Sequence, residues 1–149
     1  MLIQLLIGFG VVVVTAVIHA TILSTAYRSN QRLTDWVVTN PHRWRLTAAF
    51  TMSVTWVMFA HLIEVLLWSV IYLVLGIFDA IEPALYFSLV AYTTLGFGDV
   101  VLPESWRLLS GITAANGFLV FGWSTAFQVE YISRLSRGFQ TNRPTGAGS

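Results

Sequence analysis

Cysteine and lysine are both absent from the 149 residues. Without cysteine there is no disulfide framework and no thiolate metal site. Without lysine, all eight positive charges are arginine. Charge of either sign is scarce: 10% of residues are Asp, Glu, Lys or Arg, against about 25% in a soluble domain. That shortage, with 56% hydrophobic residues, excludes an ordinary soluble domain. It predicts an integral membrane protein of one small module. The net charge of +1 is uninformative, and no nucleic-acid partner is expected. The placement of the few charges says more.

Three apolar runs stand out. Leu2 to Tyr27 is broken only by Gln4, small residues and His19, and about 20 apolar residues span a bilayer. A cleaved leader has a basic segment ahead of a shorter apolar core. Here Arg28 and Arg32 follow the run instead, so a first transmembrane helix over 1–27 is expected. It lacks the arginine ladder of a voltage sensor. Residues 28–45 read as a connector, with Arg28, Arg32, Arg43 and Arg45 against Asp35 alone. The excess of arginine makes it cytoplasmic. Within it, Leu33 to Val38 reads either as a short interfacial turn stopped by Asn40-Pro41 or as a plain solvated loop. Trp36 and Trp44 suit the inner headgroup belt, and Trp68 and Tyr72 approach the outer one. The second and third runs are Leu46 to Gly76 and Ser105 to Leu135.

Between them lies a shorter segment, Pro83 to Tyr92, too short to span. Acidic Asp79 and Glu82 and early Pro83 mark a helix start. Directly after it comes Thr93-Thr94-Leu95-Gly96-Phe97-Gly98-Asp99. Glycine at alternate positions permits alternating left- and right-handed backbone. That alternation turns successive carbonyls to one side. Several copies of such a loop around one axis replace the water shell of a cation.

The six residues Thr94 to Asp99 resemble the selectivity-filter signature of the potassium channel pore family, threonine-valine-glycine-tyrosine-glycine-aspartate. Ala84 to Val90 resembles that family's pore helix. The likeness runs from Leu46 to about Leu135, in the family's order of outer helix, pore helix, filter and inner helix. With the additional first helix read from hydropathy, it implies an all-α integral membrane fold: three transmembrane helices plus a re-entrant pore helix and filter loop. With the first helix, the arginine-rich connector and the turn-rich end read from composition, the expected domains are a first helix (1–27), a connector (28–45), the pore module that the resemblance implies (46–135) and a disordered tail (136–149). The implied function is passive, potassium-selective conduction by a homotetramer in contact with membrane lipids, with no catalysis and no cofactor beyond the permeant ion. Potassium would lie at Thr94, Leu95, Gly96 and Phe97, with Gly98 and Asp99 completing the filter. Tyr86, Ser88 and Thr93 would support it, and Gly117 sits near the family's hinge glycine. Leu95 stands where valine is usual and Phe97 where tyrosine is. Val90 replaces a carboxylate that often braces the filter, leaving Asp99 to Tyr86 or Trp106.

Charge placement agrees with this order. Asp79, Glu82, Asp99 and Glu104 fall on one side with Arg107 as the only base, and the other arginines fall on the opposite side. An inner cell membrane with the N-terminus outside and the C-terminus cytoplasmic is expected. Tyr86, Phe87, Tyr92 and Phe97 read as an aromatic cuff or as core. Asn116, Ser124 and Thr125 read as facing a water-filled cavity or as bonding neighbouring helices, and Phe118 and Phe121 as lining that cavity. Gly111 and Gly122, like Gly117, also suit close helix packing. Glu130 and Arg134, at i and i+4, suit an ion pair. His61 and Glu64, at i and i+3 within an apolar run, are costly there. They read as a hydrogen-bonded pair, a pH-sensitive contact involving His19, or metal ligands. Two alternative functions follow: a weakly selective cation channel, or an intramembrane metal-binding protein.

Overall fold

The computed structural model describes residues 1–39 and 42–141. Its regular structure is helical throughout, with no strand among the described residues. Helix α1 is Leu2–Thr39, α2 is Arg43–Val74, α3 is Ile81–Tyr92 and α4 is Arg107–Thr141, with a 3-10 turn at Glu104–Trp106 before α4. By length and hydropathy, α1 and α2 are able to cross a membrane. At 1.5 Å per residue α3 is only about 18 Å long.

Two boundaries differ from the sequence reading. Residues 28–39, expected as connector, continue α1 without a break. The stretch contains neither glycine nor proline, so nothing local stops the helix. Val37 is buried against the lower core, while Arg28 and Arg32 stay exposed. Residues 136–141, expected in a disordered tail, continue α4, where Phe139 is buried. The proposed stop at Asn40-Pro41 and the tail 142–149 lie outside the described residues.

The end of α2 has a visible cause. Gly76 takes φ +65°, its N–H bonds the Leu73 carbonyl at 2.9 Å, and the Ile77 N–H bonds that of Tyr72 at 3.0 Å. This reciprocal pair satisfies the last carbonyls and needs a left-handed residue between them. The chain then turns back into α3, which packs between α2 and α4.

Cross-helix bonds fix the directions. Gln4 meets Ser105, Thr15 meets Asn116, and Tyr27 meets Arg134, so α1 and α4 run parallel. His19 meets Glu64 and Asn30 meets Ser53, so α1 and α2 run antiparallel. Asp79, Glu82, Asp99 and Glu104 therefore share one end of the molecule, and Arg28, Arg45 and Arg134 lie toward the other.

The helices are inside-out by the standard of soluble proteins. Along α1 the buried positions are Gln4, Gly8, Val11, Thr15, His19, Leu23, Ala26, Asn30 and Val37, a stripe near the helical repeat. Leu2, Ile3, Leu6, Phe9 and Val17 point outward instead. Apolar residues outside and polar ones inside suit a lipid surrounding, where unpaired polar groups are expensive. One apolar cluster gathers around Trp68, Tyr72, Phe87, Tyr92 and Leu109. A second gathers Val37, Ala49, Tyr131, Leu135 and Phe139. Trp68 and Tyr72, expected at the headgroup belt, are fully buried in the first. Tyr72 satisfies its hydroxyl on Thr113 Oγ1 at 2.6 Å.

Candidate functional site

The last turn of α3 anchors the glycine-spaced loop. The Val90 carbonyl accepts the Leu95 N–H at 3.0 Å and the Gly96 N–H at 3.3 Å, while Ala91 accepts that of Thr94 at 3.0 Å. Three consecutive N–H groups are thereby turned back onto the helix. Thr94, Gly96 and Gly98 take φ of +61°, +57° and +78°, and neither Leu95 nor Phe97 has a positive φ. The two glycines adopt this conformation freely. Thr94 does so at a cost of about 1–3 kcal/mol, a strain that surrounding structure must sustain. Residues 94–99 are all exposed in the single chain.

Of the sequence-named supports, Thr93 bonds the Leu89 carbonyl through its hydroxyl at 2.7 Å. Tyr86 donates its hydroxyl to Asp99 Oδ2 at 2.5 Å. That bond holds the Asp99 carboxyl below its ordinary value. Of the two candidates for Asp99, Tyr86 makes the contact, while Trp106 packs against the apolar cluster. Ser88 is fully buried and its hydroxyl has no hydrogen-bond partner within the chain. The aromatic group divides: Phe87 and Tyr92 are buried, whereas Phe97 is 67% exposed. A cavity of ≈ 290 Å³ lies between the loop at Gly96 and Gly98 and the residues behind it, Phe87, Val90, Ala91 and Leu102.

Behind the loop's root the packing is tight. A Cβ on Gly117 would sit 1.9 Å from the Tyr92 carbonyl oxygen. This glycine is where α4 meets the end of α3, in close contact with the Tyr92 backbone. Gly111 and Gly122 have open space instead.

Tyr92 also reaches the buried ionisable group. Its hydroxyl donates to Glu64 Oε2 and lies 3.0 Å from His61 Nδ1. Glu64 Oε1 is 2.9 Å from His19 Nδ1, and Oε2 is 3.5 Å from His61 Nδ1. Ser124 Oγ is 3.1 Å from His19 Nε2 and 3.0 Å from His61 Nε2. The structure thus joins the two histidines and the carboxylate that the sequence offered as a group. It adds Tyr92 and Ser124, whose part sequence reasoning missed. Asn116, buried, accepts a bond from Thr15 at 3.1 Å. Of the two readings open for Asn116 and Ser124, both make bonds to neighbouring helices. Thr125 is exposed, bonded to its own helix at Phe121, and Phe118 is 71% exposed. Phe121 stacks on His61 with ring centroids 4.3 Å apart. Glu130 and Arg134 pair at the surface.

Gln4 is a second residue whose part was missed. Its side chain donates to the Ser105 carbonyl and accepts the Leu108 N–H at 3.1 Å. It thereby satisfies an otherwise unpaired donor in the first turn of α4. The signal was present in the spacing of Gln4, Thr15, His19 and Asn30 along one helical face.

A short helix ending in a glycine-spaced loop, clasped between two long helices, is the plan of an ion-channel pore. Comparison with known families agrees: the ion channel family matches residues 60–134. This is half of the chain, running from the middle of α2 through α3 and the loop into α4, and the protein belongs to that family. No curated protein and no solved structure matches the chain. The family and the two apolar helices make this a membrane protein.

Proposed function

We propose that the protein is a potassium-selective channel that works as a homotetramer, with residues 94–99 of four chains forming one filter. The observation that carries this reading is the left-handed backbone at Thr94, Gly96 and Gly98 interleaved with Leu95 and Phe97. Alternating hands turn consecutive peptide oxygens toward one side. With the N–H groups of 94–96 bonded back to α3, the carbonyls are left for ions. Potassium binds at the oxygens of Thr94, Leu95, Gly96 and Phe97, trading water for carbonyl rings, and leaves by repulsion between ions in single file. The C-terminal end of α3 directs its partial negative charge toward the same place.

One loop closes nothing alone, so the exposed apolar surface supports assembly. Leu95, Phe97, Val101, Phe118 and Leu119 are each more than half exposed in the single chain. In the tetramer α4 is the third span and lines the inner pore, so its polar and glycine positions need not face lipid. The acidic end lies outside and the arginine end inside, with residues 28–45 cytoplasmic. Four copies of Asp79, Glu82, Asp99 and Glu104 then concentrate cations at the outer mouth. No catalytic step is involved.

A looser cation selectivity is the alternative, favoured by the apolar Val90 and Leu95 behind and within the filter. Potassium flux into liposomes holding the purified chain is the test, with Gly96→Ala as the control. The expected result is flux in the wild type and silence in the variant. Unchanged flux in Gly96→Ala would overturn the filter assignment. A reversal potential indifferent to the potassium gradient would replace potassium selectivity by the alternative.

A further inference from the structure

We propose that His19, His61 and Glu64 form a binding site for one divalent transition-metal ion of the zinc class, with Tyr92 holding the carboxylate and Ser124 as the residue that orients both rings. The site lies behind the root of the loop at Tyr92, whichever ion the pore passes.

Ser124 has three polar neighbours and one hydrogen to share among them. Its Oγ lies 2.9 Å from the Val120 carbonyl, 3.1 Å from His19 Nε2 and 3.0 Å from His61 Nε2. A hydroxyl has one hydrogen and two lone pairs. One assignment satisfies all three contacts: the hydrogen goes to Val120, and the oxygen accepts an N–H from each ring. Both Nε2 atoms then carry their hydrogens. In neutral imidazoles this leaves both Nδ1 atoms as bare lone pairs.

Both lone pairs face the same carboxylate, His19 Nδ1 at 2.9 Å and His61 Nδ1 at 3.5 Å. Without an ion, one proton shared between His19 Nδ1 and Glu64, and the Tyr92 hydroxyl 3.0 Å from His61 Nδ1, satisfy these atoms. A divalent ion in place of that proton gathers both lone pairs and the carboxylate at once.

The dimensions fit. The three ligand atoms lie within 4.8 Å of one another. Around a tetrahedral ion with bonds near 2.0 Å, neighbouring ligands stand about 3.3 Å apart. His19 Nδ1 lies 2.9 Å from Glu64 Oε1 and His61 Nδ1 lies 3.5 Å from Oε2, one on either side of that value. Metal-bound histidines usually donate their second N–H to a fixed acceptor, which is the part Ser124 plays for both. Two imidazoles and a carboxylate favour zinc among abundant divalent ions. His19 and Glu64 are fully buried and His61 is 5% exposed. A cavity of ≈ 320 Å³ between α2 and α4 is bounded by His61 and Ser124. The titratable groups around the site are His19 from α1, His61 and Glu64 from α2, and Tyr92 from α3; the described part of α4 contributes only Ser124 and the rings of Phe121 and Trp123. An ion here would clasp α1 to α2 and to the residue from which the loop departs.

The full chain, purified in detergent and stripped with chelator, is equilibrated with excess Co2+ and then Zn2+. We expect one ion per chain, the visible absorption of tetrahedral cobalt with nitrogen and oxygen ligands, and its loss as Zn2+ displaces it. His61→Ala lowers Co2+ affinity at least about 100-fold, and Ser124→Ala, which keeps every ligand, lowers it about 10- to 100-fold. Should His61→Ala fail to fold, Ser124→Ala decides the point, because a site elsewhere on the chain is indifferent to it. Wild-type protein without stoichiometric metal overturns the proposal. So does metal bound with the same affinity and spectrum in the folded variants.

Discussion

The loop has two ends, and they are held in opposite ways. Its root at Tyr92 is wedged against Gly117 and tied into a buried carboxylate–histidine group. Its outer end is held by one exposed hydrogen bond, Tyr86 to Asp99, and the side chains between are solvent-facing in the single chain. The difference separates what one chain settles for itself from what copies must complete. One chain fixes where the loop begins and which way its backbone turns. In the proposed tetramer, the walls of the passage come from the other subunits.

Four substitutions break or sharpen this contrast. The largest effect is expected at the root. Glu64→Ala leaves two histidines and the Tyr92 hydroxyl without their common partner, and losing one member of a buried charged group costs about 3–5 kcal/mol. Thermal unfolding in detergent measures it, and an unchanged midpoint would mean the group contributes nothing to stability. Gly117→Ala comes next. Its added methyl meets backbone rather than a movable side chain, so overpacking of about 1–3 kcal/mol is expected. Full stability with altered opening in that variant would favour bending over packing as the reason for the glycine.

At the outer end the effects are smaller and functional. Tyr86→Phe should leave the unfolding midpoint in place while reducing potassium flux in liposomes. The bond it removes also has a definite pH window. Because Tyr86 depresses the Asp99 pKa from 3.8, the contact is fully present at neutral pH. It is lost only as pH falls through the lowered value. A flux difference between wild type and Tyr86→Phe should therefore persist down to the ordinary carboxylate range and vanish below it. The smallest effect is expected for Gly111→Ala, where nothing lies within 4 Å of the new methyl. A small gain of about 0.5–1 kcal/mol is predicted, since alanine suits a helix interior better than glycine, and a large loss would place a neighbouring chain at that position.

Much of this plan was legible in the chain. Gly96 and Gly98 announced the left-handed turns because only glycine adopts them freely, and Gly76 ended α2 for the same reason. The third left-handed residue, Thr94, carries a side chain that gives no such signal. The extent of α1 was misjudged because Arg28, Arg32 and Asp35 look like a loop by charge. A helix emerging past a membrane keeps its backbone bonds whatever its surface carries. Trp68 and Tyr72 were placed at an interface by residue type, whereas Thr113 on α4 gives Tyr72 an internal partner that no local pattern reveals. The meeting of His19 with Glu64 depends on how α1 lies against α2, which is set by packing across many turns. The hint lay in the spacing of the polar residues on α1, since polar groups repeating along one side of an apolar helix must have something to bind.

That polar side makes the first helix a working part rather than an added one. A chain trimmed to begin after Tyr27 would turn Glu64 and Asn116 toward hydrocarbon with their partners gone and leave Leu108 without the amide that covers it. Shortened forms should clump or be degraded before any current is recorded, so transplanting the conducting half alone into another scaffold would discard the shield that lets its inward charges live among lipids.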